Sequence, residues 1–466
     1  MKENIKSKRI FDEMIGLDND YRNSIENDIN IYGVKHNITK LIEFSSATAN
    51  HASLYSYRNV YNYFLKNQKE LSKKSFFYSL QLKIKTELNT IFSNKVKYIY
   101  LSPSGTDSEY LPLLGDEKNI YNIIIGIDEI GTSIRHTSRG KIFSNTAPFG
   151  KFKYTSVNLN EFKSKNIKTD FLPIAINESE KNYNKKLSSK IEFLLNKNFK
   201  QYEKLILHLV YVSKSHKIFP SIESINRMKK KFSNLKIVVD ACQMRCDFET
   251  LTSFIENNYD VIITGSKFFS APPFCSAYLT NKRIKVLKQN SDLKKIFNDV
   301  DLIESPKITY GLLFRWKFAI NEIKSFNKIP KKSKINIIEN LQKIIRGSIK
   351  RYKTLELCEE HKFKNSKGIR IEDNLTIFLF YLKRSEKYLS LLESRKIYKY
   401  IKNYNNEAQL LSQPMKIKIN NKNVGNFRVS ISSSHIVSIF KNKYDYKYFQ
   451  RELINLFDFI DNKINL

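Results

Sequence analysis

Five stretches of the chain run apolar without alternation: "VKYIYLSPS" (96–104), "IYNIIIGID" (120–128), "KLILHLVYVS" (204–213), "LKIVVDA" (235–241) and "YDVIIT" (259–264). A strand with one wet face alternates apolar and polar residues, whereas one apolar at every position needs both faces covered. Such strands confine the chain to a mostly parallel sheet with helices packed on both sides. Helical patterns at 107–117 ("DSEYLPLLGDE") and 221–234 ("SIESINRMKKKFSN") fall between them, as an α/β layout requires. "KLIEFSS" (40–46) reads as an earlier strand.

From about residue 312 the texture changes to long helical stretches. "NLTIFLFYL", "NFRVSISS" and a closing helical segment then indicate an α+β unit. The expected organisation is an N-terminal helical segment (1–40), a large α/β domain (41–311) and a small C-terminal α+β domain (312–466). No internal repeat or Pro/Gly/Ser linker separates them.

Composition narrows the class. With 41% hydrophobic and 13% aromatic residues, disorder is excluded as the general state. The N-terminus lacks the apolar centre of a secretory signal, no apolar run approaches a membrane span, and four cysteines are too few for a disulfide framework. A soluble cytoplasmic protein is expected. The net charge of +34, from 80 Lys plus Arg against 46 Asp plus Glu, by itself suggests a nucleic-acid partner. The basic residues are spread along the chain, however, and no recognition motif accompanies them. Lys, Asn, Ile, Tyr and Phe are all abundant, so compositional bias is the preferred reading and nucleic acid is not the expected partner.

In open α/β sheets ligands gather beyond the carboxyl ends of the strands. Four features fall there. "SPSGTDSEY" turns from a strand into a helix start, with small residues for close approach and Thr106 and Glu109 spaced as a capping box. Asp240 closes "KIVVDA", and a buried acid there needs a cation or a donor. Lys267, in "DVIITGSKFFSAPPF", ends the next strand among apolar residues. Arg428 lies in "GNFRVSISS" of the small domain. Each alone fits a structural role: a plain cap, a salt-bridged Asp, a snorkelling Lys, a surface Arg.

In this order the features resemble fold-type I pyridoxal-phosphate (PLP) enzymes, in particular the superfamily of class V aminotransferases and cysteine desulfurases. "LIEFSSATAN" (41–50) is similar to that group's opening strand and small-residue turn, "SGTDSE" (104–109) to its phosphate loop and "VVDACQ" (238–243) to its Asp-x-x-Gln element. "TGSK" (264–267) resembles its Schiff-base lysine element and "NFRVSIS" (426–432) its late Arg strand. The resemblance implies PLP as cofactor, bound to Lys267 as a Schiff base. It gives Asp240 the pyridinium nitrogen and Gln243 the phenolic oxygen, and Gly105, Thr106, Thr264 and Ser266 the phosphate. Lys267 would then carry the α-proton, and Arg428 would clamp a substrate carboxylate, with Thr48 and His51 at the substrate pocket. It also implies a homodimer with the site completed across the interface, to which "ESPKITYGLLFRW" (304–316) would contribute.

The sequence departs from that pattern in places. Ser266 stands where desulfurases often have His, and Ser213 where an Asn commonly contacts the phenolic oxygen. The ring-stacking residue is expected from "GIDEIGTSIRHTSRG" (126–140), where His136 is a candidate and a surface-loop position is equally open. A desulfurase needs a thiol on a mobile loop between Lys267 and Arg428. Cys275 falls in a strand-like stretch and Cys358 in a helical one, which disfavours that activity. Cys242 and Cys246 read as small core residues rather than as metal ligands, and no metal site is expected. The expected activity is amino transfer on an amino-acid substrate. A PLP lyase and a non-catalytic nucleic-acid-binding protein of the same fold are the alternatives.

Overall fold

The computed structural model describes residues 2–16, 25–26, 29–30, 42–45, 52–174, 180–288, 290–358, 370–402, 411–419 and 422–465. Its main sheet is built from β1 (Tyr98–Ser102), β2 (Asn119–Ile125), β3 (Asn166–Leu172), β4 (Lys204–Tyr211), β5 (Leu235–Ala241), β6 (Asp260–Thr264) and β7 (Ser276–Thr280). They lie in the order β1-β7-β6-β5-β4-β2-β3, with Ile218–Phe219 added beside β4. β7 runs antiparallel to both neighbours, while β2–β3, β2–β4, β4–β5 and β5–β6 are parallel. Every residue of β4, β6 and β7 is buried, which is why these strands carry no polar alternation. β3 escapes that pattern. At the sheet edge it reads NIKTDFL and is only partly buried, so the sequence gives no continuous apolar run.

The flanking helices obey ordinary local rules. Ile222–Lys231 begins at Ser221, whose hydroxyl accepts from the Ser224 amide at 3.3 Å, and ends on three lysines that suit the negative end of the helix dipole. The expected helix over 107–117 is cut to one turn, Gly105–Ser108, with a 3₁₀ turn at Leu111–Leu113 around Pro112. Residues 42–45 are not a strand, although the Phe44 carbonyl accepts from the Ser430 amide at 2.9 Å.

The small domain carries β8 (Leu355–Leu357), β9 (Ile377–Arg384), β10 (Met415–Ile419) and β11 (Lys422–Ser430), in the antiparallel order β8-β9-β11-β10. Cys358 directly follows β8 rather than lying in a helix, and its amide bonds the Leu379 carbonyl at 2.8 Å. The expected domain boundary at 311/312 falls at the start of the buried helix Gly311–Asn327. This helix packs against Lys2–Gly16, Leu54–Asn67, Lys74–Ile91 and Ser433–Phe440. Among the described residues no helix is long and apolar enough to cross a membrane.

Candidate active site

Strand register decides what meets at the sheet's carboxyl edge. Asp240 of β5 pairs with Val210 of β4 and Ile262 of β6. The segments that continue β4 and β6, Val212–Lys214 and Gly265–Lys267, therefore flank it. β2 and β4 are neighbours whose following loops diverge, and such a crevice is where open α/β sheets bind ligands. A cavity of about 630 Å³ opens there, lined by Gly105, Thr106, Ser213, Asp240, Gln243, Thr264, Ser266, Lys267 and Arg428. The small domain closes it, since Arg428 arrives on β11 and Gln413 to Lys416 border the same space.

The polar contacts are specific. The Asp240 Oδ1 accepts from the Cys242 amide at 3.0 Å, and the residue is 8% exposed. Gln243 Oε1 accepts from Arg245 Nε at 3.3 Å. The Thr264 hydroxyl donates to the Cys242 carbonyl at 2.7 Å, stitching the β5 and β6 exits together. Ser213 donates to Glu129 Oε2 at 2.9 Å, and the Ser215 amide adds a bond of 2.8 Å to the same oxygen. Arg428 Nη2 donates to the Gln413 carbonyl at 3.2 Å, while its Nε and Nη1 are buried with no hydrogen-bond partner among the described residues. Burial pushes the Arg428 pKa down and Glu129 opposes it. Two unmet donors on a buried guanidinium are costly unless an anion joins them.

The turn at Ser104–Ser108 is capped differently from the expected Thr106–Glu109 box. Ser104 is the cap: its hydroxyl accepts from the Asp107 amide at 3.2 Å and donates to Asp107 Oδ2 at 2.6 Å. Thr106 is thereby left on the cavity wall. Glu109 instead turns inward, 3.4 Å from His208 Nδ1, both being 2% exposed. Burial, with Asp240 adding repulsion, raises the Glu109 pKa well above the usual carboxylate range, and burial lowers that of His208 to about 3. Burial thus disfavours the charged form of both side chains. At Gly105 a Cβ would come within 2.3 Å of Cys242 Sγ, so glycine lets this turn sit against the β5 exit.

His136 does not line the cavity; Phe143, seven residues on, does. The short helix Ile134–Thr137 turns its Ile134 and Arg135 to the space instead. Thr48 and His51 lie outside the described residues. Sequence reasoning passed over Glu129, Lys214, Phe143 and Phe274, all on the cavity wall. Lys214 was the most accessible of these, since it directly follows Ser213.

Gly265 fixes the position of the lysine. A Cβ there would sit 2.4 Å from Ala319 Cβ and 3.0 Å from Cys275 Sγ, so the turn bearing Lys267 rests on the helix Gly311–Asn327. Gly265→Ala is expected to cost about 1–3 kcal/mol by overpacking, and Ala319→Gly in the same chain should recover most of it. Urea denaturation of the single and double variants checks this; a Gly265→Ala midpoint equal to wild type would refute it.

No protein-family model matches the chain, and no curated protein matches it in sequence. Solved structures do share its fold. A NifS-like protein aligns over 90% of this chain and 100% of its own, at TM-score 0.52 and 10% identity. A C-DES variant with glycine covalently linked to its PLP cofactor aligns over 89% and 96%, at 0.54 and 10%. The glutamate decarboxylase domain of a Vibrio parahaemolyticus protein aligns over 91% and 82%, at 0.51 and 10%. The chain thus has the fold of the fold-type I PLP-dependent enzymes: a large, mostly parallel sheet between helices and a smaller antiparallel domain.

Proposed function

We propose that the chain is a PLP-dependent enzyme that transfers the amino group of an amino-acid substrate. The observation that carries this reading is the convergence of Lys267 and Asp240, from adjacent strand exits, in one cavity with the Ser104–Thr106 turn and Arg428. The residues fit the cofactor. The Gly105 turn packs on Cys242 with no space for a side chain, which sets its backbone beside the cavity, Asp240 offers a buried carboxylate for a ring nitrogen, and Arg428 has unmet donors for a carboxylate. Gly105 and Thr106, with Ser266, would hold the phosphate; Gln243 would face the ring's polar edge, and Phe143, an aromatic on the cavity wall, would cover its face.

When bound, PLP supplies an electron sink that stabilises negative charge at the substrate α-carbon. The chain does the rest. Arg428 holds the substrate carboxylate with a planar fork of donors, fixing which α-bond faces the ring. Lys267, once released by substrate, would take the α-proton and deliver it away from the α-carbon, since returning it there would only restore the amino acid. Asp240 would pair with the ring nitrogen, and the small domain over the cavity excludes water. The cavity thiols suit a desulfurase poorly, because burial pushes the pKa values of both Cys242 and Cys275 upward and suppresses the thiolate. We further read the enzyme as a homodimer.

The test is to incubate the purified protein with PLP and follow visible absorbance while a panel of amino acids is added. A band that shifts with amino donors, with one 2-oxo acid formed per bound cofactor and no ammonia, is the expected result. No band would end the cofactor reading. Ammonia release in place of the amino-transfer half-reaction would replace it with a lyase.

A further inference from the structure

The cavity holds a second lysine that the proposed reaction does not use. Lys214 follows Ser213 beyond the end of β4, and its amine donates to the Ile130 carbonyl across the crevice. Its stem borders the same cavity as Lys267 and Arg428. Burial pushes the pKa of its amine down to about 7; Arg428 and Lys267 add to the fall, and Glu129 and Asp240 oppose it. Those four groups face it from the small domain, the β6 exit, the loop after β2 and the β5 exit respectively. Arg428 and Lys267 disfavour the charged form of Lys214, and a bound anion offsets that effect. A carboxylate can meet one of the two unmet nitrogens of Arg428, Nε or Nη1, which face opposite sides of the guanidinium. Lys214 then remains for a second negative group. Arg395 and Lys416 stand exposed on the cavity wall, where positive charge draws anionic ligands inward.

Resting on the reading in the preceding section, we propose that the substrate is an acidic amino acid, with Arg428 taking the α-carboxylate and Lys214 the anionic group of the side chain. Carboxylate and phosphate share that chemistry, and the test separates them. The PLP-loaded enzyme is titrated with aspartate, glutamate, phosphoserine, alanine and serine while its visible band is followed. Acidic amino acids should half-saturate wild type at concentrations about 10-fold or more below neutral ones, and Lys214→Met should bring that ratio close to one. Preference for phosphoserine over aspartate and glutamate would identify phosphate as the side-chain anion.

A second readout needs no turnover. Succinate, which has no amine, should bind the wild-type holoenzyme at pH 8 with uptake of a proton. The bound anion raises the Lys214 pKa from near 7, so the amine protonates on binding. Calorimetry in two buffers of different ionisation enthalpy measures this, and Lys214→Met should show no uptake. Equal response to neutral and acidic amino acids, losses of the same size for alanine and aspartate in Lys214→Met, or loss of the cofactor band in that variant would each overturn the inference. If no amino acid of any kind moves the band although succinate binds with proton uptake, it is the enzyme reading that fails, and the proposed substrate with it.

Discussion

Replacing Lys267 by alanine is expected to lower amino transfer by about 10³-fold or more while leaving a folded protein. The size follows from losing two roles at once, the covalent anchor of the cofactor and the amine that moves the α-proton; general acid–base catalysis alone contributes about 10²–10⁴-fold. Folding should survive, because Lys267 is half-buried at a cavity wall rather than packed in the core, and the turn that carries it is held by backbone bonds. The Gly265 amide reaches the Cys275 carbonyl at 2.8 Å and the Ala271 amide reaches the Gly265 carbonyl at 3.0 Å. Reduction of wild-type holoenzyme with borohydride, followed by peptide mass spectrometry, should place the cofactor on Lys267. The alanine variant should retain wild-type urea stability and give no labelled peptide from this turn. Label on Lys214 in the wild-type protein would move the anchor to the other cavity amine and sink the assignment.

The sheet was legible in the sequence because its central strands are buried on both faces. "KIVVDA" and "VIIT" have no polar alternation to confuse, and their ends fall where the pattern of apolar residues stops. What failed was local. The one-turn helix at Gly105–Ser108 looked longer because Glu109, Leu111 and Leu113 continue a helical spacing, although Pro112 interrupts it. Ser104 and Thr106 are both good caps, and only the structure shows Ser104 in use. The edge strand β3 was hidden by the polar residues an edge tolerates.

The chemistry was legible where a residue's cost is one-sided. A lysine or an aspartate at a buried strand end demands a reason, so Asp240 and Lys267 stood out. Arg428 did so less, because a sequence cannot show that two of its nitrogens lack partners. Glu129 and Lys214 depend on crossing the crevice between the loops after β2 and β4, 85 positions apart in the chain, and no local pattern announces them. His136 is a candidate from its loop with a surface position equally open, and the structure keeps it off the cavity: the short helix there points Ile134 and Arg135 to the space, and Phe143 takes the wall.

Arg245→Met is expected to destabilise the protein by about 2–4 kcal/mol and to loosen the small domain over the cavity. Arg245 is fully buried between the domains. Its Nη1 donates to the Thr376 carbonyl at 3.3 Å and to the Ile431 carbonyl, which flank the paired strands β9 and β11, and its Nε donates to Gln243 Oε1 at 3.3 Å. The guanidinium also lies 5.2 Å from the ring centre of Phe268, the neighbour of Lys267. Methionine fills much of the volume but leaves buried acceptors without a donor, and bonds from a charged group to such acceptors are worth about 1.5–3 kcal/mol each. Part of that loss is returned because a buried charge, whose pKa burial pushes down with Arg428 adding to it, no longer needs to be desolvated. Glu372 provides a second tie, accepting from the Asp247 amide at 2.9 Å and from Thr250 at 2.6 Å, so the domains should stay joined but open more often. The urea midpoint should fall, and limited proteolysis should cut faster near the domain junction. Substrate affinity should weaken as well, since Gln243 and Arg428 would lose their fixed relation. A methionine variant with wild-type stability and wild-type proteolysis would show that Arg245 does not tie the site to the small domain. The same change made with lysine separates charge from geometry. A single ammonium keeps the charge but cannot reach both carbonyls and Gln243 together, so Arg245→Lys should recover only a small part of the loss.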